Sequence, residues 1–324
     1  MKALALLSGG LDSMLAAKLV QKQGIDVECV TFETPFFSAD KARAGAVHAA
    51  LPILHVLDIT EDHLTMLRSP RYGYGKNMNP CIDCHTLMLK RAGELMSSTG
   101  AGVLVTGEVL GQRPMSQTKQ SLHIVAKNSG YQEYILRPLS ARLLPATKPE
   151  QEGLIDREQL WDIQGRGRHR QMEAAAEFGI TKYPAPAGGC LLTDVMFSRR
   201  LRELFAHDDF TIPSIHLLKT GRHFRINEGT KVIVGRHQRD NALMERYAQT
   251  TDIMLHTAHF PGPVTLISGN ASPEELRIAA SLCVLYSDAP KNEPVEVNVF
   301  QDKTILSVIE TRAEEKEQAA QWII

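Results

Sequence analysis

Three cysteines and one glycine-rich turn are the parts of this chain equipped for group-transfer chemistry. Cys81 and Cys84 stand two residues apart in NPCIDCH (79–85), just ahead of a helix-period run, LMLKRAGELM. A C-x-x-C pair can grip zinc, hold an iron–sulfur cluster, cycle as a redox couple or carry sulfur to a substrate. Structural zinc needs four ligands, and Cys81, Cys84, His85 and Cys190 would have to supply them. His85 follows Cys84 directly, which suits a single metal poorly. A thioredoxin-type couple would bring its own fold, of which the chain has no sign. Cys190 closes a Pro/Gly-rich segment, PAPAGGC, where glycines expose a side chain or let backbone approach a ligand. Cys29 and Cys283 lie in apolar runs, VECVTF and SLCVLY, and read as core.

The glycine-rich turn is SGGLDS, Ser8 to Ser13. Gly9 and Gly10 let the backbone approach a ligand and adopt positive φ. Free N–H groups at a helix start favour an anion such as phosphate. Ser8 and Ser13 add hydroxyl donors. Asp12 beside a phosphate requires a magnesium ion between them. The segment is not the G-x-x-x-x-G-K-[ST] loop. A tight turn with a helix cap is the structural alternative.

Positioning these residues falls to alternating elements. ALALL (3–7) reads as a strand, Leu11–Gln23 as a helix and DVECVTF as a second strand. KARAGAVHAA is helix-like, PILHVLDI a third strand, 68–80 a polar loop, 82–99 a helix and GVLVTGE a fourth strand. Such alternation implies an α/β fold with a parallel sheet, with ligands at the carboxyl ends of the strands. SGGLDS, TFETPFF and TGEVLGQ all fall there. Residues 150–180 read as helical, then YPAPAGGC as a loop and VMFSRRLRELFA as a helix. From about 208 short alternating runs (SIHLL, HFRI, TKVIV, DIMLHT, PVTLIS) mix with helices near 238–249 and 273–287. That texture marks a smaller α+β domain, giving domains 1–205 and 206–324.

Composition narrows the class. Hydrophobic residues at 43% and charged residues at 23% describe an ordinary globular chain. No run of 18 apolar residues predicts a membrane span. The N-terminus reads as a strand rather than a signal peptide. Few, odd-numbered cysteines point to the reducing cytoplasm. With net charge −1, any RNA contact must come from local patches.

SGGLDS after the first strand resembles the PP-loop of the ATP pyrophosphatases, which cleave ATP between the α- and β-phosphates and adenylate an acceptor. The resemblance implies that Ser8, Gly9, Gly10, Asp12 and Ser13 hold pyrophosphate and Mg2+, with Phe32 near the adenosine. TGEVLGQRPMSQT (106–118) resembles a segment of the tRNA 4-thiouridine synthetases, which adds Gly107 and Gln112 to the ATP site. The chain departs from that family in lacking room for its N-terminal RNA-binding domains and any apparent rhodanese domain. NPC-x-x-C with a distant G-G-C resembles the paired cysteines of tRNA 2-thiouridylases. It also resembles the iron–sulfur tRNA thiolases, in which three thiolates hold a [4Fe–4S] cluster and leave one iron open for sulfide. Three cysteines without a fourth suit that arrangement. The other route is a persulfide on one cysteine, resolved as a disulfide by another. A helix N-terminus near Cys84 would lower the thiol pKa for it.

VIVGRHQRDNALMERYAQTTDIMLHTAHFPGPVTLISG resembles the RNA-binding domain of the NFACT proteins. Gly235, Arg236, His237, Asp240 and Asn241 match its first signature, and Asp252, Leu255 and His256 its second. Met254 stands where Trp is usual, which removes a base-stacking side chain. Arg236, His237 and Arg239 form one cluster able to hold phosphates, and Arg166 and Arg168 of GRGRHR form another. A solvated helix face is the alternative for each. Together the resemblances imply ATP-dependent tRNA uridine thiolation through Cys81, Cys84 and Cys190. The partners would be tRNA or another RNA and a sulfur donor, sulfide or a desulfurase-derived persulfide. The rivals are a PP-loop ligase acting on a small metabolite and a non-enzymatic RNA- or ribosome-binding protein.

Overall fold

The computed structural model describes residues 1–51, 54–185 and 190–324, and these form two compact units, Met1–Thr193 and Asp194–Ile324. In the first unit the order is β1 (Lys2–Leu6), α1 (Leu11–Gln21), β2 (Asp26–Glu33), α2 (Asp40–His48), β3 (Leu54–Asp58) and α3 (Thr60–Arg68). There follow α4 (Cys81–Thr99), β4 (Val103–Thr106), α5 (Lys119–Ser129), β5 (Ile135–Leu136), α6 (Lys148–Gln151) and α7 (His169–Glu177). The strands make one parallel sheet in the order β3-β2-β1-β4-β5. β1 and β4 are buried almost throughout, as sheets covered on both faces require, and so read as continuous apolar runs. One apolar cluster joins the sheet to α1 and α7, with Leu11, Leu15, Ala174 and Ala175 in it. Another joins the opposite face to α4 and α5, through Leu89, Ala92, Val125 and Ala126.

The α/β reading holds, but three segments differ from expectation. Residues 150–180 are not mainly helical. The backbone makes α6, a 3-10 turn at Arg157–Gln159 and then α7. Asp156 ends the helical possibility by accepting the Glu158 N–H at 3.0 Å, a side-chain bond that competes with helix. α3 and α5 occupy stretches to which the sequence pattern assigns no element. PAPAGG (184–189) lies partly outside the described residues.

The second unit contains α8 (Val195–Ala206), α9 (Ile212–Leu217), β6 (Arg222–Arg225), β7 (Lys231–Val234), α10 (Gln238–Tyr247) and β8 (Ile253–Thr257). It continues with β9 (Thr265–Ile267), α11 (Pro273–Leu285), β10 (Val295–Gln301), β11 (Thr304–Thr311) and α12 (Lys316–Trp322). An antiparallel sheet in the order β11-β10-β8-β9-β7-β6 packs α11 on one face. α11 starts where Ser272 and Glu275 form a reciprocal capping box around Pro273. α8, which lies before the sequence-based boundary at 205–206, falls in this unit. Its Glu203 accepts from Arg225 of β6 and from Lys231 of β7 at 2.6 Å. SIHLL is not a strand but lies largely in α9, whose start is fixed by a Thr211–Ser214 capping box. Among the described residues no helix is long and apolar enough to cross a membrane.

Candidate active site

The first unit's sheet reverses its winding between β1 and β4, and ligands of open α/β sheets bind outside the strand ends at that point. Ser8–Ser13 follows β1 there, and Gly107–Gln112 follows β4. Gly9 has φ +76°, and a Cβ on it would lie 2.0 Å from the Lys41 carbonyl oxygen, so no other residue fits. The loop is tied by its own serines. The Ser8 hydroxyl donates to Ser13 Oγ at 3.2 Å, and Ser13 Oγ donates to the Gly10 carbonyl at 2.8 Å. Gly10 caps α1 with no side-chain bond, leaving the helix N-terminus open. Gln112 Nε2 donates to Asp12 Oδ2 at 3.1 Å, which brings the two strand-end loops together. Asp12 Oδ1 is buried without a hydrogen-bond partner. An orphaned carboxylate oxygen beside open helix amides is the donor a magnesium–phosphate pair requires.

Gly107 packs against this loop so closely that a Cβ would lie 2.5 Å from the Ser13 nitrogen. Its neighbour, Glu108, is 7% exposed and serves the thiol region. Glu108 Oε1 lies 2.9 Å from His85 Nδ1, and Oε2 accepts from Arg137 Nε at 2.9 Å. Burial alone would raise the Glu108 pKa, but the Arg137 charge and the His85 contact hold it down at about 2. Residue 107 therefore backs the glycine loop while residue 108 anchors the helix of the C-x-x-C-H segment.

Cys81 and Cys84 occupy the first turn of α4, i and i+3, so they share a face. The preceding loop is built to hold them. Asp83 accepts the Arg71 and Tyr72 N–H groups at 3.1 and 3.0 Å, and Asn79 Nδ2 donates to Cys81 Sγ at 3.2 Å. The Cys190 segment is fastened to the same loop. Asn77 Nδ2 donates to the Thr193 carbonyl at 2.7 Å and the Met78 N–H to the Leu192 carbonyl at 3.2 Å. The three thiols come within electrostatic reach of one another. Burial raises the Cys84 thiol, and Cys190 and Cys81 raise it further; burial pushes Cys190 up to about 11. The lowered Cys84 pKa expected from the helix start is thus reversed, because burial outweighs the helix amides.

His63 of α3 completes this region. It is fully buried, its Nε2 lies 3.6 Å from Cys84 Sγ, and the rings of Phe36 and Phe37 flank it at 5.3 and 5.5 Å. Burial lowers its pKa to about 4, so it is neutral at pH 7. Nothing in the local sequence around His63 marks it, because the contact spans 21 residues and depends on α3. As donors, three soft thiols suit a cluster. Among the described residues, however, no group of three or more His, Cys, Asp or Glu is arranged to hold a metal ion.

The other expected residues are placed differently. Phe32 is 6% exposed and belongs to the core cluster with Leu4, Val30 and Leu89. Cys29 and Cys283 are fully buried. Arg166 and Arg239 are exposed. Arg236 Nε donates to buried Asp240 Oδ2 at 2.7 Å, and His237 caps α10 by accepting the Asp240 N–H at 3.2 Å. Asn241 Oδ1 accepts the Val264 N–H at 3.1 Å. Four of the residues in GRHQRDN therefore hold the second unit's own turn together.

The first unit is an α/β domain with an all-parallel sheet and a glycine-rich loop after its first strand. Its residues 1–142 match the family model described as thiamine biosynthesis protein (ThiI), and residues 221–323 match the NFACT protein RNA-binding domain. The two matches fall on separate parts of the chain, one in each unit. A probable tRNA sulfurtransferase of Caldanaerobacter subterraneus subsp. tengcongensis is 30% identical over 50% of this chain and 51% of its own length. One from Thermoanaerobacter sp. is 32% identical over 43% of this chain and 36% of its own. The chain spans about half the length, or less, of these curated relatives. A solved 4-thiouridine synthetase–RNA complex with bound ATP has a TM-score of 0.38 at 20% identity, covering 67% of this chain and 52% of that one.

Proposed function

We propose that this chain is an ATP-dependent RNA sulfurtransferase that thiolates a uridine of tRNA. The observation that carries the reading is the Gly107–Glu108 pair: consecutive residues back the glycine loop and anchor the C-x-x-C-H helix. A uridine carbonyl oxygen is a poor leaving group. Its attack on the α-phosphorus of ATP expels pyrophosphate and turns that oxygen into part of AMP, which leaves readily. Asp12 Oδ1 would take the Mg2+ ion, and Ser8–Ser13 the phosphates. Sulfur then attacks the activated carbon and AMP departs. With a persulfide on Cys84 or Cys190, the terminal sulfur forms the new C–S bond. The other thiol then attacks the carrier sulfur, and the thiolated base leaves as a disulfide closes. An external dithiol must reduce that disulfide before the next turnover. Cys81, Cys84 and Cys190 are also the residues that would hold a [4Fe–4S] cluster, which supplies, when bound, an open iron position for an external sulfide.

RNA would be held by the second unit. Since Arg236 and His237 are committed internally, Arg239 is the phosphate contact of that cluster. Arg239→Ala is expected to weaken tRNA binding about equally across sequences and to lower the salt slope by about 1. Filter binding at several salt concentrations reads both. The function is tested by incubating purified protein with ATP, Mg2+, sulfide or a persulfide donor, and tRNA. Thiolated nucleoside together with AMP is expected, and neither product forming sinks the proposal.

A further inference from the structure

The segment GRGRHRQ (165–171) lies beside the glycine loop rather than apart from it. The Gly165 N–H donates to the Leu110 carbonyl at 2.8 Å, and Leu110 and Gln164 form a β-bridge. Two residues after Leu110, Gln112 reaches Asp12. The direction of α7 follows from its other end. Lys22, which ends α1, sits over the ring of Phe178, which ends α7, at 5.9 Å. Ten residues back along each helix, about 15 Å at 1.5 Å per residue, stand Asp12 and Arg168. With Gly165 bonded beside the glycine loop at one end and Phe178 against Lys22 at the other, α7 runs in the same direction as α1.

Parallel neighbours that start on the same side of the sheet bring two partial positive charges towards one another, an arrangement an anion near both offsets. Several buried polar atoms there lack partners. Gln171 is fully buried, yet neither its Nε2 nor its Oε1 has a hydrogen-bond partner. It lies on the α7 face that carries Ala174 and Ala175 into the core shared with α1, one turn nearer the glycine loop. Arg168, which precedes α7 without a side-chain cap, has its Nε buried and unpartnered. Asp12, in the first turn of α1, is the third such side chain, through its Oδ1. Buried polar groups are nearly all paired in folded proteins, so orphaned atoms on three side chains at the N-terminal ends of these two helices point to a missing ligand.

We propose that Arg168 and Gln171 are phosphate-binding residues of the nucleotide site, taking the pyrophosphate moiety of ATP. This rests on the ATP reading above, and it assigns Arg168 to the nucleotide and not to RNA. The leaving pyrophosphate gains negative charge as the α–β bond breaks, and a guanidinium beside it stabilises that charge.

The test measures binding of ATP, inorganic pyrophosphate, AMP and tRNA to wild type, Arg168→Ala and Gln171→Leu. Arg168→Ala is expected to weaken ATP and pyrophosphate about 10- to 100-fold, the effect of losing a charge-assisted bond, with AMP and tRNA unchanged. Gln171→Leu is expected to weaken ATP as well, yet to raise the unfolding temperature of the nucleotide-free protein, because it removes an unpaired buried amide. A purely structural role would not move these two readouts in opposite directions. ATP affinity of both variants within twofold of a wild type that binds ATP overturns the assignment alone. Loss of tRNA affinity with ATP binding intact returns Arg168 to the RNA. A wild type that binds neither ATP nor pyrophosphate overturns the nucleotide reading and this assignment with it.

Discussion

Cys84→Ala and Cys190→Ala will each end nucleoside thiolation, with a loss of about 1,000-fold or more, while pyrophosphate release from ATP continues in the presence of tRNA. The separation follows from the site's two halves. On the proposed function the phosphate groups would sit on Ser8–Ser13 and Asp12, and the hydrogen bonds of that loop run among Ser8, Gly10, Asp12, Ser13 and Gln112 rather than to either thiol. The double variant should be no worse than either single one, because residues acting as a unit lose their effect together. Counting AMP and thiolated nucleoside in the same reaction decides the matter. Full thiolation by Cys84→Ala would remove Cys84 from the chemistry and overturn both sulfur routes as written. Iron content and visible absorption of anaerobically purified wild type and Cys190→Ala then separate the two sulfur routes. Iron lost with Cys190 indicates a cluster, and an iron-free wild type indicates the persulfide.

Glu108→Gln will be the most destabilising single change around the site, costing about 3–5 kcal/mol, because it leaves the buried Arg137 guanidinium without its countercharge. The pH dependence has a defined sign. The folded Glu108 pKa is held at about 2, below its ordinary value of 4.5. Its contribution to stability is therefore complete above about pH 4.5 and is lost as pH falls towards 2. Glu108→Gln should flatten that part of the acid limb. Denaturant unfolding of both proteins between neutral pH and the acid limit measures it, and a variant within about 0.5 kcal/mol of wild type refutes the pairing. The same change frees His85, so thiolation should fall more steeply than ATP affinity.

Much of this architecture was legible in the residues. Continuous apolar runs at 3–7 and 103–106 ending in glycine-bearing loops specify buried parallel strands and the loops at their carboxyl ends. The helices at 238–247 and 273–285 carry their start signals locally. What was not legible depends on contacts distant in sequence. β5 is two residues long and too short for any period. α9 was mistaken for a strand because Ile215, Leu217 and Leu218 alternate incompletely, whereas the Thr211–Ser214 box was the better signal. The Cys84 environment reversed because burial by His63 and its flanking phenylalanines cannot be seen from C-x-x-C spacing. Arg236 and His237 look like free cations in GRHQRDN, but Asp240, four and three residues on, takes both.

The adjacency of Gly107 and Glu108 constrains how this chain can drift over evolutionary time. One residue inserted between them would turn the carboxylate to the other side of the backbone, away from His85, while Gly107 stayed wedged under Ser13. On the proposed function, a lineage that keeps both chemistries must therefore inherit the dipeptide undivided.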